Sequence, residues 1–138
     1  NPSLGGAESK YADMVVKSLV DNAKMPIKEV IRAKANMLFP QPAGLPKDFH
    51  MPHTDKEIPW NKSCDHVTAL YYVNDADGPT YFFNKKFGED LSGMHIIDQM
   101  SPKKGRLVIF NSNQYHASSS PINSEKRIVI NIVLKVGD

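Results

Sequence analysis

Residues 127–134 read Arg-Ile-Val-Ile-Asn-Ile-Val-Leu. In an extended chain successive side chains point to opposite faces. Arg127, Val129, Asn131 and Val133 therefore share one face, and Ile128, Ile130, Ile132 and Leu134 share the other. The second face is wholly aliphatic and predicts a strand, running to residue 136, with that side packed in a core. The first face carries a guanidinium and an amide among valines. A charge in so apolar a stretch is costly unless something pairs with it. This face is expected to line a cavity, where a ligand carboxylate would engage the planar guanidinium through two parallel hydrogen bonds. The other reading leaves Arg127 at the exposed end of the strand, beside Glu125 and Lys126.

Working outward, further short strands are expected at residues 67–73, 80–83, 95–100, 106–110 and 115–119, separated by clusters of Pro, Gly, Asn, Asp and Ser. Ile31, Ala33, Ala35, Met37 and Phe39 alternate with Arg32, Lys34, Asn36 and Leu38, which predicts one more strand facing a core on one side. Before it, Tyr11, Met14, Val15, Leu19 and Val20 recur at helical spacing, so an amphipathic helix is expected over residues 7–23. The proline-rich stretch 40–52 reads as a surface loop, and residues 41–51 and 57–63, the latter with Trp60, are expected to border the mouth of the fold. A helix followed by many short strands predicts a mainly β fold, a sandwich or barrel with a helical buttress.

At 138 residues, with 41% hydrophobic and 23% charged residues, the chain suits one globular domain covering residues 1–138. It opens at Asn1 without an initiator methionine, so a preceding segment is to be expected. The balance of 17 Lys and Arg against 15 Asp and Glu gives a formal charge of +2, with no dense basic run, so nucleic acid is not the expected partner. No apolar stretch approaches the roughly 20 residues of a membrane span. Cys64 is the only cysteine, which excludes an internal disulfide and fits a reducing compartment. A cytoplasmic location is the expectation.

Chemistry enters at His50-Met-Pro-His-Thr-Asp55. In an extended segment His53 and Asp55, two residues apart, present an imidazole nitrogen and a carboxylate oxygen to one point. A second histidine from a distant strand would complete a facial set of two histidines and one carboxylate, which leaves coordination positions open as in non-haem iron oxygenases. His116, beginning a strand after the turn Asn111-Ser-Asn113, is the best third member. His66 and His95 fit less well, and His50 lacks a carboxylate two residues later.

Taken together, His53-Thr-Asp55, the aromatic strand 67–74, Gly78-Pro-Thr80, the segment 102–110 opening Pro-Lys-Lys-Gly, His116, and Arg127-Ile-Val-Ile-Asn131 resemble the prolyl-hydroxylase-type iron(II)- and 2-oxoglutarate-dependent oxygenases. The likeness spans residues 53–131, and its ending is similar to short phage-encoded and marine microbial members, whose setting would be a bacterial or phage-infected host cytoplasm. The resemblance implies a double-stranded β-helix, or jelly-roll, with one or two N-terminal buttressing helices. It implies His53, Asp55 and His116 as ligands of Fe(II), and Arg127 as the residue binding the distal carboxylate of 2-oxoglutarate. Tyr72 matches a tyrosine that contacts the same carboxylate, and Asn131 and Leu70 would be further cavity residues. The implied reaction consumes O2 and 2-oxoglutarate and hydroxylates a substrate, with a peptidyl proline or other protein side chain as the leading class and a small molecule as the alternative.

The sequence departs from the family pattern in three places. Gly78 is followed by Pro79 where two glycines are usual, and the loop around Ser92-Gly93 has no clear counterpart. Lys135 stands after Asn131 where nucleic-acid demethylases carry a further arginine. Two other functions compete: a non-catalytic jelly-roll serving as a binding or structural module, and a cupin-like metalloenzyme that does not use 2-oxoglutarate. The second has no need of Arg127 and Tyr72 in its cavity.

Overall fold

The computed structural model describes residues 26–41 and 49–137. The helix expected over residues 7–23 lies outside them, as does most of the loop expected before Met51.

Seven strands follow in order: β1 (Ile27–Leu38), β2 (His66–Tyr72), β3 (Thr80–Lys86), β4 (Ile96–Met100), β5 (Leu107–Asn111), β6 (Gln114–Ala117) and β7 (Arg127–Val136). They form a four-stranded antiparallel sheet, β1-β7-β2-β5, and a three-stranded sheet, β4-β3-β6. An isolated antiparallel bridge between His53 and His116 adds one more extended segment beside β6. The chain thus passes repeatedly between two facing sheets, which is the winding of a jelly-roll. Among the described residues there is no helix, and none is long and apolar enough to cross a membrane.

The expected strand 31–39 is longer at its start, because register shifts between Ile27 and Glu29 and between Val30 and Arg32 break the alternation that marks a strand. The strand expected from residue 127 is β7, and it pairs on both sides, with β1 and β2. Its aliphatic face behaves as the alternation requires. Ile130, Ile132 and Leu134 join Ala33, Val67 and Ala69 in one buried cluster on one side of the four-stranded sheet. On the other side, between the sheets, Val129 packs with Leu70 and Tyr72 against Met100, Val108 and Phe110. Phe82 of the smaller sheet meets Phe110 of the larger one edge to face, with ring centroids 5.0 Å apart.

One carboxylate holds the connection into β7. Asp77, in the turn between β2 and β3, accepts hydrogen bonds from the backbone N–H groups of Ile122, Asn123 and Ser124 at 2.8, 3.0 and 3.0 Å. Partial burial pushes the Asp77 carboxyl up, but the three N–H donors outweigh it and hold the group far below the usual carboxylate range. A depressed folded-state pKa gives stability that is present above the unfolded value and lost as pH falls through the folded one. Asp77→Asn should therefore cost roughly 1 kcal/mol at pH 7, a figure kept small because the site is near solvent. Urea unfolding at pH 7 and pH 3 checks this: the gap between wild type and variant should narrow at the lower pH, and an equal gap at both would contradict it.

Candidate metal centre

His53 and His116 are brought together by the backbone. Each donates its N–H to the other's carbonyl at 3.0 Å, so they are a directly opposed pair. Such pairs carry their side chains on one face, and the imidazole centroids lie 4.5 Å apart. Asp55 follows two residues after His53, and its N–H donates to Ser112 O at 2.9 Å, which fixes the segment against the β5–β6 connection. The result is that ligand atoms of His53, Asp55 and His116 all lie within 4.8 Å of one another. His53 Nε2 stands 3.6 Å from Asp55 Oδ1, and His116 Nε2 stands 3.4 Å from Asp55 Oδ2.

The surroundings fix which nitrogen is free. His116 Nδ1 lies 2.8 Å from Gln114 O and His53 Nδ1 lies 3.3 Å from Met51 O. A carbonyl only accepts, so both Nδ1 atoms carry the proton and both Nε2 lone pairs face the common point. Thr68 donates its hydroxyl to Asp55 Oδ2 at 2.7 Å and accepts in turn from Ser112, 2.9 Å away. Phe110 stacks edge to face on the His116 ring at 4.7 Å, an apolar wall on the ligand.

Electrostatics suits a cation. Burial pushes His116 down, towards the neutral form that can ligate. The neighbouring Asp55 carboxylate, 3.6 Å away, leads the forces that raise His53. Burial would push the Asp55 carboxyl up, but His53, His116 and the Thr68 hydroxyl together hold it below its ordinary value. Two imidazoles and a carboxylate with converging lone pairs fit a divalent ion, and the half-exposed His53 leaves one side of the point open.

Arg127 lies in the same cavity, of about 160 Å³, whose walls include His53, His116, Leu70, Val129 and Asn131. Only 3% of Arg127 is exposed, so it sits inside and not at a frayed strand end. Its Nε donates to Gly78 O at 2.7 Å and its Nη2 to Thr80 Oγ1 at 2.8 Å. Among the described residues it pairs with no carboxylate. Burial without a counter-ion pushes its pKa down, opposed by Tyr72. The side-chain oxygen of Asn131 is also buried without a hydrogen-bond partner. The cavity thus has a guanidinium without a carboxylate partner among the described residues and two imidazoles on its walls, a lining whose charge is complementary to a small anion.

Tyr72 is fully buried; its hydroxyl is 2.7 Å from Thr80 Oγ1, and its ring lies under the Arg127 guanidinium at 5.8 Å. It stands behind Thr80, bracing the arginine. Tyr71, on the opposite face of β2, packs against the aliphatic cluster. Leu70 and Asn131 lie on the cavity wall, where the alternation of β2 and β7 puts them. Trp60 stands against Gly88, and its backbone N–H donates to Phe87 O at 2.9 Å. Sequence reasoning missed Thr80 and Thr68, since a single hydroxyl residue has no period to betray it. It also missed that Gly78 is indispensable: its φ is +87°, and a Cβ there would lie 2.7 Å from Ser119 O.

Removing a hydrogen-bond partner of a ligand should weaken metal binding by roughly 10- to 100-fold. Thr68→Val is expected to do so, and His116→Ala to lose more, in competition with a fluorescent chelator for nickel(II). Wild-type affinity in both variants would refute the assignment of the centre.

The family model of the 2OG-Fe(II) oxygenase superfamily matches residues 41–135 of the chain. No curated protein matches it significantly. Similar solved structures include an N-substituted L-amino acid dioxygenase from Burkholderia ambifaria AMMD, 16% identical over 95% of this chain and 65% of that one, with a TM-score of 0.61. A prolyl hydroxylase from Trichoplax adhaerens, in complex with a hypoxia inducible factor peptide fragment, is 19% identical over 91% of this chain and 55% of that one, with a TM-score of 0.56. HygX from Streptomyces hygroscopicus, with nickel and 2-oxoglutarate bound, is 12% identical over 94% of this chain and 66% of that one, also with a TM-score of 0.56. At such identities the likeness is one of fold, and the chain spans 55% to 66% of the length of these relatives.

Proposed function

Because the chain belongs to the 2OG-Fe(II) oxygenase superfamily, we propose that it is a 2-oxoglutarate-dependent dioxygenase whose centre is His53, Asp55 and His116. The observation that carries this reading is Arg127, a buried guanidinium without a carboxylate partner among the described residues, in one cavity with two converging imidazoles. A cupin-like metalloenzyme or a purely structural jelly-roll gains nothing from a buried unpaired cation and bears its cost.

In this reading His53 Nε2, Asp55 and His116 Nε2 hold the metal. Iron(II) with 2-oxoglutarate supplies activation of dioxygen, giving succinate, carbon dioxide and one oxygen atom for a substrate C–H bond. Arg127 takes the distal carboxylate of 2-oxoglutarate, and Thr80 and Gly78 O hold the guanidinium in place for it. Tyr72 supports that carboxylate site through Thr80. Leu70 and Val129 line the cavity with apolar surface, which excludes water and strengthens the ion pair inside. Gln114 O and Met51 O hold the ring protons at Nδ1, so neither imidazole can turn its lone pair away from the metal. The substrate is a peptide or a small molecule, and a peptidyl proline or other protein side chain is the class to screen first. The peptide complex of the Trichoplax enzyme is consistent with that choice.

Anaerobic titration of iron(II) and 2-oxoglutarate tests the reading. A weak visible charge-transfer band should appear only when both are present. Arg127→Leu should raise the 2-oxoglutarate concentration needed by about 100-fold, as expected for the loss of one partner of a buried charged pair, with metal affinity retained. A folded, metal-loaded wild type that shows no band would refute it.

A further inference from the structure

The metal and its co-substrate leave the inward face of β1 unexplained. The register sets Arg32 opposite Val133, Lys34 opposite Asn131 and Asn36 opposite Val129. Opposed residues of an antiparallel pair share a face, and Asn36, Val129 and Asn131 all line the cavity. Arg32 and Lys34 therefore stand on the cavity side of the sheet. Their alternation with Ala33 and Ala35 resembles that of an ordinary strand with its polar face in solvent, yet the polar face looks towards the metal ligands.

Among the described residues neither cation has an anionic partner at hydrogen-bond distance. Lys34 is exposed and, among the described residues, makes no ion pair. Arg32, 45% exposed at its side chain, has Nη2 at 3.7 Å from Asp55 Oδ1, too far for a hydrogen bond. Orienting Asp55 does not require it, since Thr68 already holds the other carboxylate oxygen at 2.7 Å. Formal charges sharpen the point. A divalent ion and Arg127 together balance Asp55 and the two carboxylates of 2-oxoglutarate. Arg32 and Lys34 remain as surplus positive charge at the mouth of a neutral centre.

We propose that Arg32 and Lys34 bind a carboxylate of the primary substrate, so that the site selects acids over the corresponding neutral amides. The inference rests on the oxygenase reading and adds to it the chemistry of the substrate. The planar fork of Arg32 sets the orientation of the carboxylate, and the ammonium of Lys34 adds attraction without geometry. The carboxylate is either the substrate's own terminus, as in an N-acyl amino acid, or an acidic side chain of a peptide. Both cations are solvent-accessible, so the preference is salt-sensitive and on the order of 10-fold.

The test uses the full chain loaded with nickel(II) and saturating 2-oxoglutarate, so that Arg127 is occupied and binding is read without turnover. Calorimetry compares a panel of N-acetyl amino acids with their amides, and capped Pro-Asp and Pro-Glu peptides with Pro-Asn and Pro-Gln. The expected result is acid binding about 10-fold tighter than amide binding for at least one pair, with the ratio falling towards one in Arg32→Gln and in Lys34→Gln. Lys34 makes no hydrogen bond or ion pair with the metal set, so its variant separates substrate recognition from damage to the centre. Preference among free acids points to the substrate's own carboxylate, and preference confined to the peptides points to an acidic side chain. Acids and amides binding alike, no acid binding at all, or a preference that survives both substitutions would overturn the proposal. Binding of 2-oxoglutarate is measured first on the same nickel protein: its absence would sink the oxygenase reading, whereas its presence with no acid preference would sink this proposal alone.

Discussion

A buried guanidinium with no counter-ion among the described residues is the constraint around which this fold is arranged. Arg127 is 3% exposed and is held by two neutral acceptors, Gly78 O and Thr80 Oγ1, which take two of its five N–H donors without cancelling its charge. The positive φ of Gly78 lets the β2–β3 turn approach closely enough to offer that carbonyl. Asp77 ties the segment before β7 to the same turn, so the strand enters the sheet with Arg127 in position. The fold thus sets a cation with no carboxylate partner among the described residues into the wall of a cavity.

The jelly-roll places that cavity beside a candidate metal set that no local segment could make. His53 and Asp55 come from one extended stretch, and His116 comes from β6, joined to it by a pair of backbone hydrogen bonds. The two sheets then divide the labour. The four-stranded sheet supplies the wall that carries Arg127 through β7 and β2, and the smaller sheet supplies His116 through β6. Phe82 and Phe110 close the gap between the sheets next to His116.

Much of this was legible in the chain because its signals are strong where the constraint is strong. The strand from Arg127 to Val136 could be read end to end, since one face is aliphatic throughout and the other carries a charge that needs a partner. The i, i+2 spacing of His53 and Asp55 was enough to propose convergence. The pairing of His116 with His53 was not deducible from spacing, because it depends on the register of two segments far apart in sequence. The start of β1 was hidden by its register shifts, and the inward aim of Arg32 and Lys34 was hidden by a pattern that ordinarily means solvent. Thr68 left no signal, and Thr80 only its place in the Gly78-Pro-Thr80 segment, because their roles come wholly from tertiary contacts. The resemblance led to Tyr72 as a residue touching the co-substrate, and the structure shows its hydroxyl engaged with Thr80.

The central claim is that one cavity holds a divalent metal on one wall and a carboxylate on Arg127. Its most direct test is a crystal structure of the protein grown anaerobically with manganese(II) and 2-oxoglutarate. The account predicts density for a metal bonded to Nε2 of His53, a carboxylate oxygen of Asp55 and Nε2 of His116, with the distal carboxylate of 2-oxoglutarate against the Arg127 guanidinium. A metal bound elsewhere, or 2-oxoglutarate bound away from Arg127, would contradict it.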